Sequence, residues 1–174
     1  RVYRKVSSFT RAFPVLMSAM FGPSTKFSGF WESGLYKFQT TIRLSDTDAT
    51  GRIYFTSQLR LASTGFEEWM EQLGVGVGKI LAQGEVAFPV VHTESDFRHP
   101  MRLGDRVTFQ ILIDRVGDSS FTWSFLALNE QNQEVGLGNT VQVCVDQKQE
   151  RKRPLPEYFA KILTEQQRIS SKAF

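Results

Sequence analysis

Residues 56–74 read TSQLRLASTGFEEWMEQLG and contain the clearest helical pattern of the chain. Apolar side chains recur there at steps of three or four residues: Leu59, Ala62, Phe66, Trp69, Met70 and Leu73. This spacing predicts a long amphipathic helix with one face buried. Thr56 or Ser57 can cap its start, and Gly74 can end it. Gly65, inside the helix, costs about 1 kcal/mol relative to Ala, so it indicates either close approach of another backbone or a tolerated defect.

Alternation of apolar and polar residues on both sides of this helix predicts five β-strands. The first precedes the helix and has Tyr36, Phe38, Thr40, Ile42 and Leu44 on one face. A short helix over residues 77–83 follows the long one, and four strands come after it, at about 88–97, 106–115, 121–128 and 135–145. An antiparallel sheet with one long helix to cover it is an α+β architecture. We expect the five-stranded sheet to curl around the central helix.

The chain of 174 residues is long enough for one domain with terminal segments. We divide it into an N-terminal extension of residues 1–34, a core domain of residues 35–150 and a basic C-terminal tail of residues 151–174 that contains a helix. The apolar share of 41% and the charged share of 22% are ordinary for a globular protein. The net charge of +3 suits an anionic, nucleotide-bearing ligand but is too small to indicate nucleic-acid binding.

The single cysteine, Cys144, excludes an intrachain disulfide, and its Val-rich surroundings predict a buried thiol. No stretch reaches the roughly 18–20 apolar residues of a transmembrane helix, so we expect no membrane partner. Residues 1–31 are rich in Arg and Ser and contain no acidic residue, a composition typical of organelle transit peptides. The alternative is an amphipathic extension that packs on the domain. We therefore expect a cytoplasmic protein, or a plastid or other organelle protein if residues 1–34 are a transit segment.

The loop between the first strand and the long helix, residues 44–55, reads LSDTDATGRIYF. This loop resembles the signature of the 4-hydroxybenzoyl-CoA thioesterase-like branch of the hot-dog superfamily. The resemblance covers about residues 36–156 and continues through the helix residues, Phe88-Pro89-Val90-Val91, His99-Pro100 and Leu103-Gly104-Asp105. Within the branch, the chain most resembles 1,4-dihydroxy-2-naphthoyl-CoA thioesterases, on the basis of Tyr54-Phe55, the run from Ala87 to His92 and the run from Glu150 to Pro156.

The resemblance implies that Asp48 is the catalytic carboxylate and that the backbone amide of Phe55, with that of Thr56, stabilises the oxyanion. An ionised Asp can attack a thioester directly or activate a water molecule, and amides at a helix N-terminus have no intrahelical acceptor. Asp46 is the nearby competitor, for which a turn or capping role is the alternative. Many relatives have His directly after the aromatic residue at Tyr54. Because Phe55 occupies that position, we predict no Asp–His pair.

The resemblance also suggests binding residues. Tyr54, Ser63, Thr64, Val91 and His92 are candidates for contact with the acyl group, and plain helix or sheet positions are the alternative for them. His99, before Pro100, is interpreted as structural. Arg52 and the basic run Arg151, Lys152 and Arg153 are candidates for the CoA phosphates, with a solvated charged run as the alternative for the latter.

The implied reaction is hydrolysis of an acyl-CoA thioester, with 1,4-dihydroxy-2-naphthoyl-CoA of phylloquinone and menaquinone biosynthesis as the favoured substrate. The alternatives are 4-hydroxybenzoyl-CoA, short or medium aliphatic acyl-CoA, acyl-carrier protein, or a non-catalytic acyl-CoA-binding module. A hydratase of the same fold needs a His close after Asp48, and none is present. We expect no metal and no cofactor apart from the CoA of the substrate. The resemblance further implies a homodimer or homotetramer with active sites between subunits.

Overall fold

The computed structural model describes residues 35–172 of the chain. The predicted N-terminal extension, with its transit or packing role, lies outside the described residues. The strands are β1 (Tyr36–Thr41), β2 (Val86–Ala87), β3 (Val90–Phe97), β4 (Arg106–Val116), β5 (Ser120–Asn129), β6 (Glu134–Val143) and β7 (Val145–Asp146). The helices are α1 (Ser57–Gln72), α2 (Val77–Gln83) and α3 (Glu157–Lys172), and a single 3-10 turn covers Leu44–Asp46. None of the helices in this described part of the chain is long and apolar enough to cross a membrane.

Five strands form one antiparallel sheet in the order β1-β4-β5-β6-β3, which confirms the predicted α+β class. The meander β4-β5-β6 is joined by short hairpins, and β1 and β3 lie at the two edges. Because α1 connects β1 to the second half of the chain, it crosses the sheet and covers one face.

The faces of β4 and β5 agree with the predicted alternation. One face of each strand is almost fully buried: Val107, Phe109, Ile111 and Ile113 on β4, and Phe121, Trp123, Phe125 and Ala127 on β5. Helix α1 packs against the sheet with its aromatic residues. The ring of Phe66 stacks on Trp123 at 4.7 Å between centroids, and that of Trp69 stacks on Tyr36 at 5.6 Å.

Gly65 marks the point of closest approach between α1 and the sheet. A Cβ atom at this position would lie 2.6 Å from Cβ of Phe38 and 2.8 Å from Cδ1 of Ile111. Packing therefore requires glycine at this position, and Gly65 is not a tolerated defect of the helix. The atoms that approach it belong to side chains of the strands, whereas the sequence interpretation was close approach of another backbone.

The predicted last strand, 135–145, is divided in the structure. Strand β6 ends at Val143, and β7 pairs instead with β2 in a separate two-stranded sheet that the sequence did not predict. The division occurs because the backbone of Cys144 bonds to Ser119 and Arg153, outside the main sheet. The Cys144 thiol is buried, as predicted, and burial raises its pKa.

Helix α3 packs against β4, where the Gln167 side chain donates a hydrogen bond to the carbonyl oxygen of Asp114 at 2.8 Å. Phe159 and Leu163 of α3 belong to the hydrophobic core, and the Phe159 ring stacks on Phe88 at 4.6 Å between centroids. The division of the chain near residue 150 stays a prediction.

Candidate active site

The loop between β1 and α1 is held in a compact turn by its own backbone. Thr47 and Ile53 form a β-bridge across it, and the amide of Tyr54 donates to the carbonyl oxygen of Asp46 at 2.7 Å. A second bridge joins Arg52 to Arg102. The loop is thereby fixed both to the start of α1 and to the segment before β4.

Asp46 stabilises this loop from inside. Its side chain is only 3% exposed, accepts a hydrogen bond from the Arg43 amide at 2.7 Å and forms an ion pair with Arg60 of α1. A carboxylate with both oxygens engaged and no solvent access is poorly placed to meet a substrate. Asp46 therefore fits the turn role that the sequence left as its alternative.

Asp48 lies two residues further on and is exposed to solvent. Its Oδ1 atom accepts hydrogen bonds from the amide of Thr50 at 2.8 Å and from the hydroxyl of Thr50 at 2.6 Å. These bonds, the hydroxyl bond first, lower the pKa of Asp48 below its ordinary value, so the carboxylate is ionised at neutral pH. The backbone and the charge of Arg52 add smaller contributions in the same direction. Both Thr50 bonds are made to Oδ1, and the exposed carboxylate can contact a substrate or water.

The start of α1 presents amides without acceptors. In the described part of the chain, the amides of Phe55 and Thr56 donate to no backbone carbonyl, and no side chain caps the helix. Thr56 occupies the N-cap position in helical conformation, so the capping bond predicted for Thr56 or Ser57 does not form. The Ser57 amide is engaged, since it donates to the carbonyl oxygen of Tyr54 at 2.8 Å. An uncapped helix N-terminus attracts negative charge.

Asp48 lines an open cavity of about 480 Å³ together with Thr50, Arg52, Ile53 and the segment Phe97–Met101. Arg52, a predicted CoA contact, thus lies beside Asp48, and Arg98 adds a second cation. Arg98 and His99 share this cavity with Asp48, in a region where the Arg52–Arg102 bridge joins the two loops.

His99, which the sequence analysis interpreted as structural, also lies in the wall of the cavity that contains Asp48. Its Nδ1 atom lies 2.8 Å from the carbonyl oxygen of Glu134. Because a carbonyl can only accept, Nδ1 is the donor in this contact. The ring is both anchored to β6 and part of the cavity wall of Asp48.

The predicted acyl contacts lie outside this cavity within a single chain. The exposed rings of Tyr54 and Phe55 pack on each other at 4.6 Å between centroids. Ser63 and Thr64 are half-buried on α1, and the Thr64 hydroxyl donates to the carbonyl oxygen of Arg60 within the helix. Val91 and His92 are exposed on the edge strand β3. Contact of any of these residues with an acyl group stays a prediction.

The basic run Arg151, Lys152 and Arg153 lies beside β7, where Lys152 bridges to Val145 and Arg153 pairs with Asp146 at 3.7 Å. A larger, mainly apolar cavity of about 630 Å³ opens on this side of the molecule. Its walls include four aromatic residues that pack in the core: Phe66, Phe88, Phe121 and Phe159. This cavity shares no lining residue with that of Asp48. Within one chain, therefore, the basic run is not part of the Asp48 cavity.

Comparisons with known proteins agree with this arrangement. A family model described as the thioesterase-like superfamily matches residues 42–163. The 1,4-dihydroxy-2-naphthoyl-CoA hydrolase of Synechococcus elongatus is 31% identical over 123 residues, which cover 70% of this chain and 90% of that protein. A 1,4-dihydroxy-2-naphthoyl-CoA thioesterase structure from Synechocystis has a TM-score of 0.71 at 25% identity, over 75% of this chain and 96% of that one.

A DHNA-CoA thioesterase structure from Staphylococcus aureus has the same fold, with a TM-score of 0.73 at 15% identity over 80% of this chain and 95% of that one. The family match covers most of the described residues and includes the loop from Leu44 to Phe55. The chain is therefore a hot-dog-fold member of the thioesterase-like superfamily and a thioester hydrolase.

Proposed function

We propose that this protein hydrolyses an aromatic acyl-CoA, with 1,4-dihydroxy-2-naphthoyl-CoA as its substrate, and that Asp48 is the catalytic carboxylate. One observation carries the proposal. Asp48 is an ionised, solvent-exposed carboxylate on a short loop that leads directly into the amides of Phe55 and Thr56, which have no acceptor among the described residues. The relatives named for 1,4-dihydroxy-2-naphthoyl-CoA support the choice of acyl group.

The chemistry needs a nucleophile and an oxyanion site. Either Asp48 adds to the thioester carbon, or it takes a proton from a water molecule that adds in its place. The C=O π electrons then move to oxygen, and the amides of Phe55 and Thr56 stabilise that oxyanion. Collapse of the adduct breaks the C–S bond, and the CoA sulfur leaves as a thiolate that takes up a proton. When Asp48 attacks directly, water then hydrolyses the mixed anhydride.

The charges around Asp48 suit an anionic substrate. Arg52 and Arg98 line the same cavity and can attract the phosphates of CoA. Arg151, Lys152 and Arg153 remain proposed CoA contacts that require a second subunit, because they do not line the Asp48 cavity of their own chain.

A second subunit is proposed on the evidence of β3. Among the described residues this strand pairs with β6 alone and forms the edge of the sheet, yet Val90 and Val91 on it are 54% and 57% exposed. An exposed apolar edge strand is a template for pairing with another chain. We therefore propose a homodimer or homotetramer joined along β3, with the acyl pocket completed by Val91 and His92. Light scattering of the wild type and of Val91→Lys tests this, and a monomeric wild type contradicts it.

The decisive experiment is thiol release measured on 1,4-dihydroxy-2-naphthoyl-CoA, 4-hydroxybenzoyl-CoA and octanoyl-CoA. We expect the first to have the highest kcat/KM, and Asp48→Asn to lower kcat by about 10²- to 10⁴-fold, the usual contribution of a general base. Asp146→Asn is the matched control. Asp146 also accepts hydrogen bonds from backbone amides of its own turn and has a lowered pKa, but it is not in the Asp48 cavity.

The outcomes separate the parts of the proposal. A folded wild type that hydrolyses none of the three esters refutes the acyl-CoA assignment. A higher kcat/KM for octanoyl-CoA or 4-hydroxybenzoyl-CoA refutes only the proposed acyl group of the substrate. An Asp48→Asn variant with the kcat of the Asp146→Asn control refutes the role of Asp48.

A further inference from the structure

Gln58, in the first turn of α1, is a polar residue with an unusual environment. Its exposed fraction is 0%, although it directly follows the helix start that carries the Phe55 and Thr56 amides. A Gln on the first turn of a helix ordinarily points into water. This side chain points into the protein, toward β3 and β6.

The contacts of Gln58 fix its orientation. Its Nε2 atom donates to Oγ of Ser95 at 2.6 Å and to the carbonyl oxygen of Asp96 at 3.1 Å, both on β3. Nε2 also makes a longer contact of 3.5 Å with the carbonyl oxygen of Leu137 on β6. Because carbonyls only accept, the amide nitrogen faces these oxygen atoms. Its Oε1 atom is buried and has no hydrogen-bond partner among the described residues. Oε1 lies against Gly136 of β6, where an added Cβ would be 2.1 Å away from it.

These contacts join the two sides of the candidate active site. On one side is the start of α1 with its unpaired amides. On the other, β3 continues directly into the segment Phe97–Met101, which lines the Asp48 cavity. The amides of Arg98 and His99 also bond to the carbonyl of Val135, next to Gly136. Gln58 is thus a buried link between the helix N-terminus and the cavity wall.

The Gln58 amide is only partly satisfied at this position. Its nitrogen is hydrogen-bonded, whereas Oε1 is a buried acceptor without a partner in the described part of the chain, which is unfavourable. A Met side chain of similar length would remove that penalty, and it would also remove the hydrogen bonds between the helix start and β3.

We propose that Gln58 is a positioning residue of the thioesterase reaction. It holds the Phe55 and Thr56 amides at a fixed separation from the wall formed by Phe97–Met101, so that a carbonyl bound beside Asp48 meets those amides as its oxygen becomes negative. This inference rests on the proposed function of Asp48 and the helix amides. It concerns transition-state alignment, so it affects kcat more than KM.

The test compares Gln58→Met with the wild type on the acyl-CoA ester that the wild type hydrolyses best. We expect kcat to fall about 10- to 100-fold, since displacement by about 1 Å can cost about 10²-fold. We expect KM to change little and the acid limb of the pH profile to stay in place because Asp48 is untouched.

The matched control is Gln72→Met. Gln72 also makes a side-chain hydrogen bond from α1 to the sheet, to Oη of Tyr36 at 3.1 Å, but at the far end of the helix. Its loss should leave kcat unchanged. Ser95→Ala should reproduce part of the Gln58→Met effect, and the double variant should be no slower than Gln58→Met alone, because the two residues act through one link.

Three results would overturn the inference. The first is an unchanged kcat in Gln58→Met, and the second is an equal fall in Gln72→Met. The third is a fall in kcat that disappears when kcat is expressed per amount of folded protein. If Gln58→Met does not fold, Ser95→Ala carries the test, and an unchanged kcat there is equally contradictory. A wild type that hydrolyses no acyl-CoA ester refutes the proposed function itself. An active wild type together with a Gln58→Met variant of unchanged kcat refutes only the role of Gln58.

Discussion

The packing at Gly65 leads to a quantitative prediction for Gly65→Ala. The new methyl group would lie 2.6 Å from Cβ and 2.7 Å from Cγ of Phe38, and 2.8 Å from Cδ1 of Ile111. Favourable carbon–carbon contacts are about 3.5–4.0 Å, so each pair is too close by roughly 1 Å. Cβ of Phe38 is attached directly to the backbone of β1. Rotation of a side chain therefore cannot relieve that contact, and α1 must move away from the sheet.

Two opposing terms set the size of the effect. Ala is favoured over Gly in a helix interior by about 1 kcal/mol, while overpacking of a filled core costs about 1–3 kcal/mol. Here three contacts are violated at once, one of them with an atom that cannot move independently, so the upper part of that range applies. We expect Gly65→Ala to lower the free energy of unfolding by about 1–2 kcal/mol.

The assay is urea denaturation followed by circular dichroism, at one fixed protein concentration because oligomerisation affects apparent stability. Gly78→Ala in α2 is the matched control, since an added Cβ there has no heavy atom within 4 Å. It should be stabilised by about 0.4–1 kcal/mol. If Gly65→Ala is stabilised to the same extent, α1 does not approach the sheet as described, and the position of its N-terminal amides also comes into question.

Three further changes test other parts of the structure. Thr50→Val removes the hydroxyl that stabilises the charged form of Asp48, so the pKa of Asp48 should rise toward its ordinary value. The acid limb of the plot of kcat/KM against pH should therefore move to higher pH. An acid limb at the wild-type pH would contradict this. Asp46→Ala leaves the Arg43 amide without its acceptor, which should lower the free energy of unfolding by about 1–3 kcal/mol. Arg60→Ala should lower it by less, because the Arg60 side chain is 56% exposed. Equal losses of the two variants in urea denaturation would count against this. Phe159→Ala should cost about 3–5 kcal/mol if α3 is part of the core, and a loss below about 1 kcal/mol in the same assay would place α3 outside it.

Most of the secondary structure could be predicted from the sequence alone. Helix α2 begins and ends where the pattern predicted, at Val77 and Gln83, and α1 ends next to Gly74, whose φ of 78° favours glycine. Strands β4 and β5 have the predicted faces. These features are local, because the spacing of apolar residues along a segment specifies which of its faces is buried.

The family was also readable from the sequence, because the motif of the loop between β1 and α1 is contiguous from Leu44 to Phe55. The choice between Asp46 and Asp48 rested on the resemblance. The tertiary structure supports that choice physically, by burying Asp46 against Arg60 and leaving Asp48 exposed.

Other features were decided only by the tertiary structure. The link from Gln58 to Ser95 spans 37 residues, and the anchor of His99 on Glu134 spans 35. The separation of β7 from β6 depends on the bonds of Cys144 to Ser119 and Arg153. Local spacing determines which face of a segment is buried, but not which distant segment meets that face. Asp48 and its loop could therefore be proposed from the sequence. The residues that surround Asp48 come from distant segments, and only the packing of the sheet against α1 brings them together.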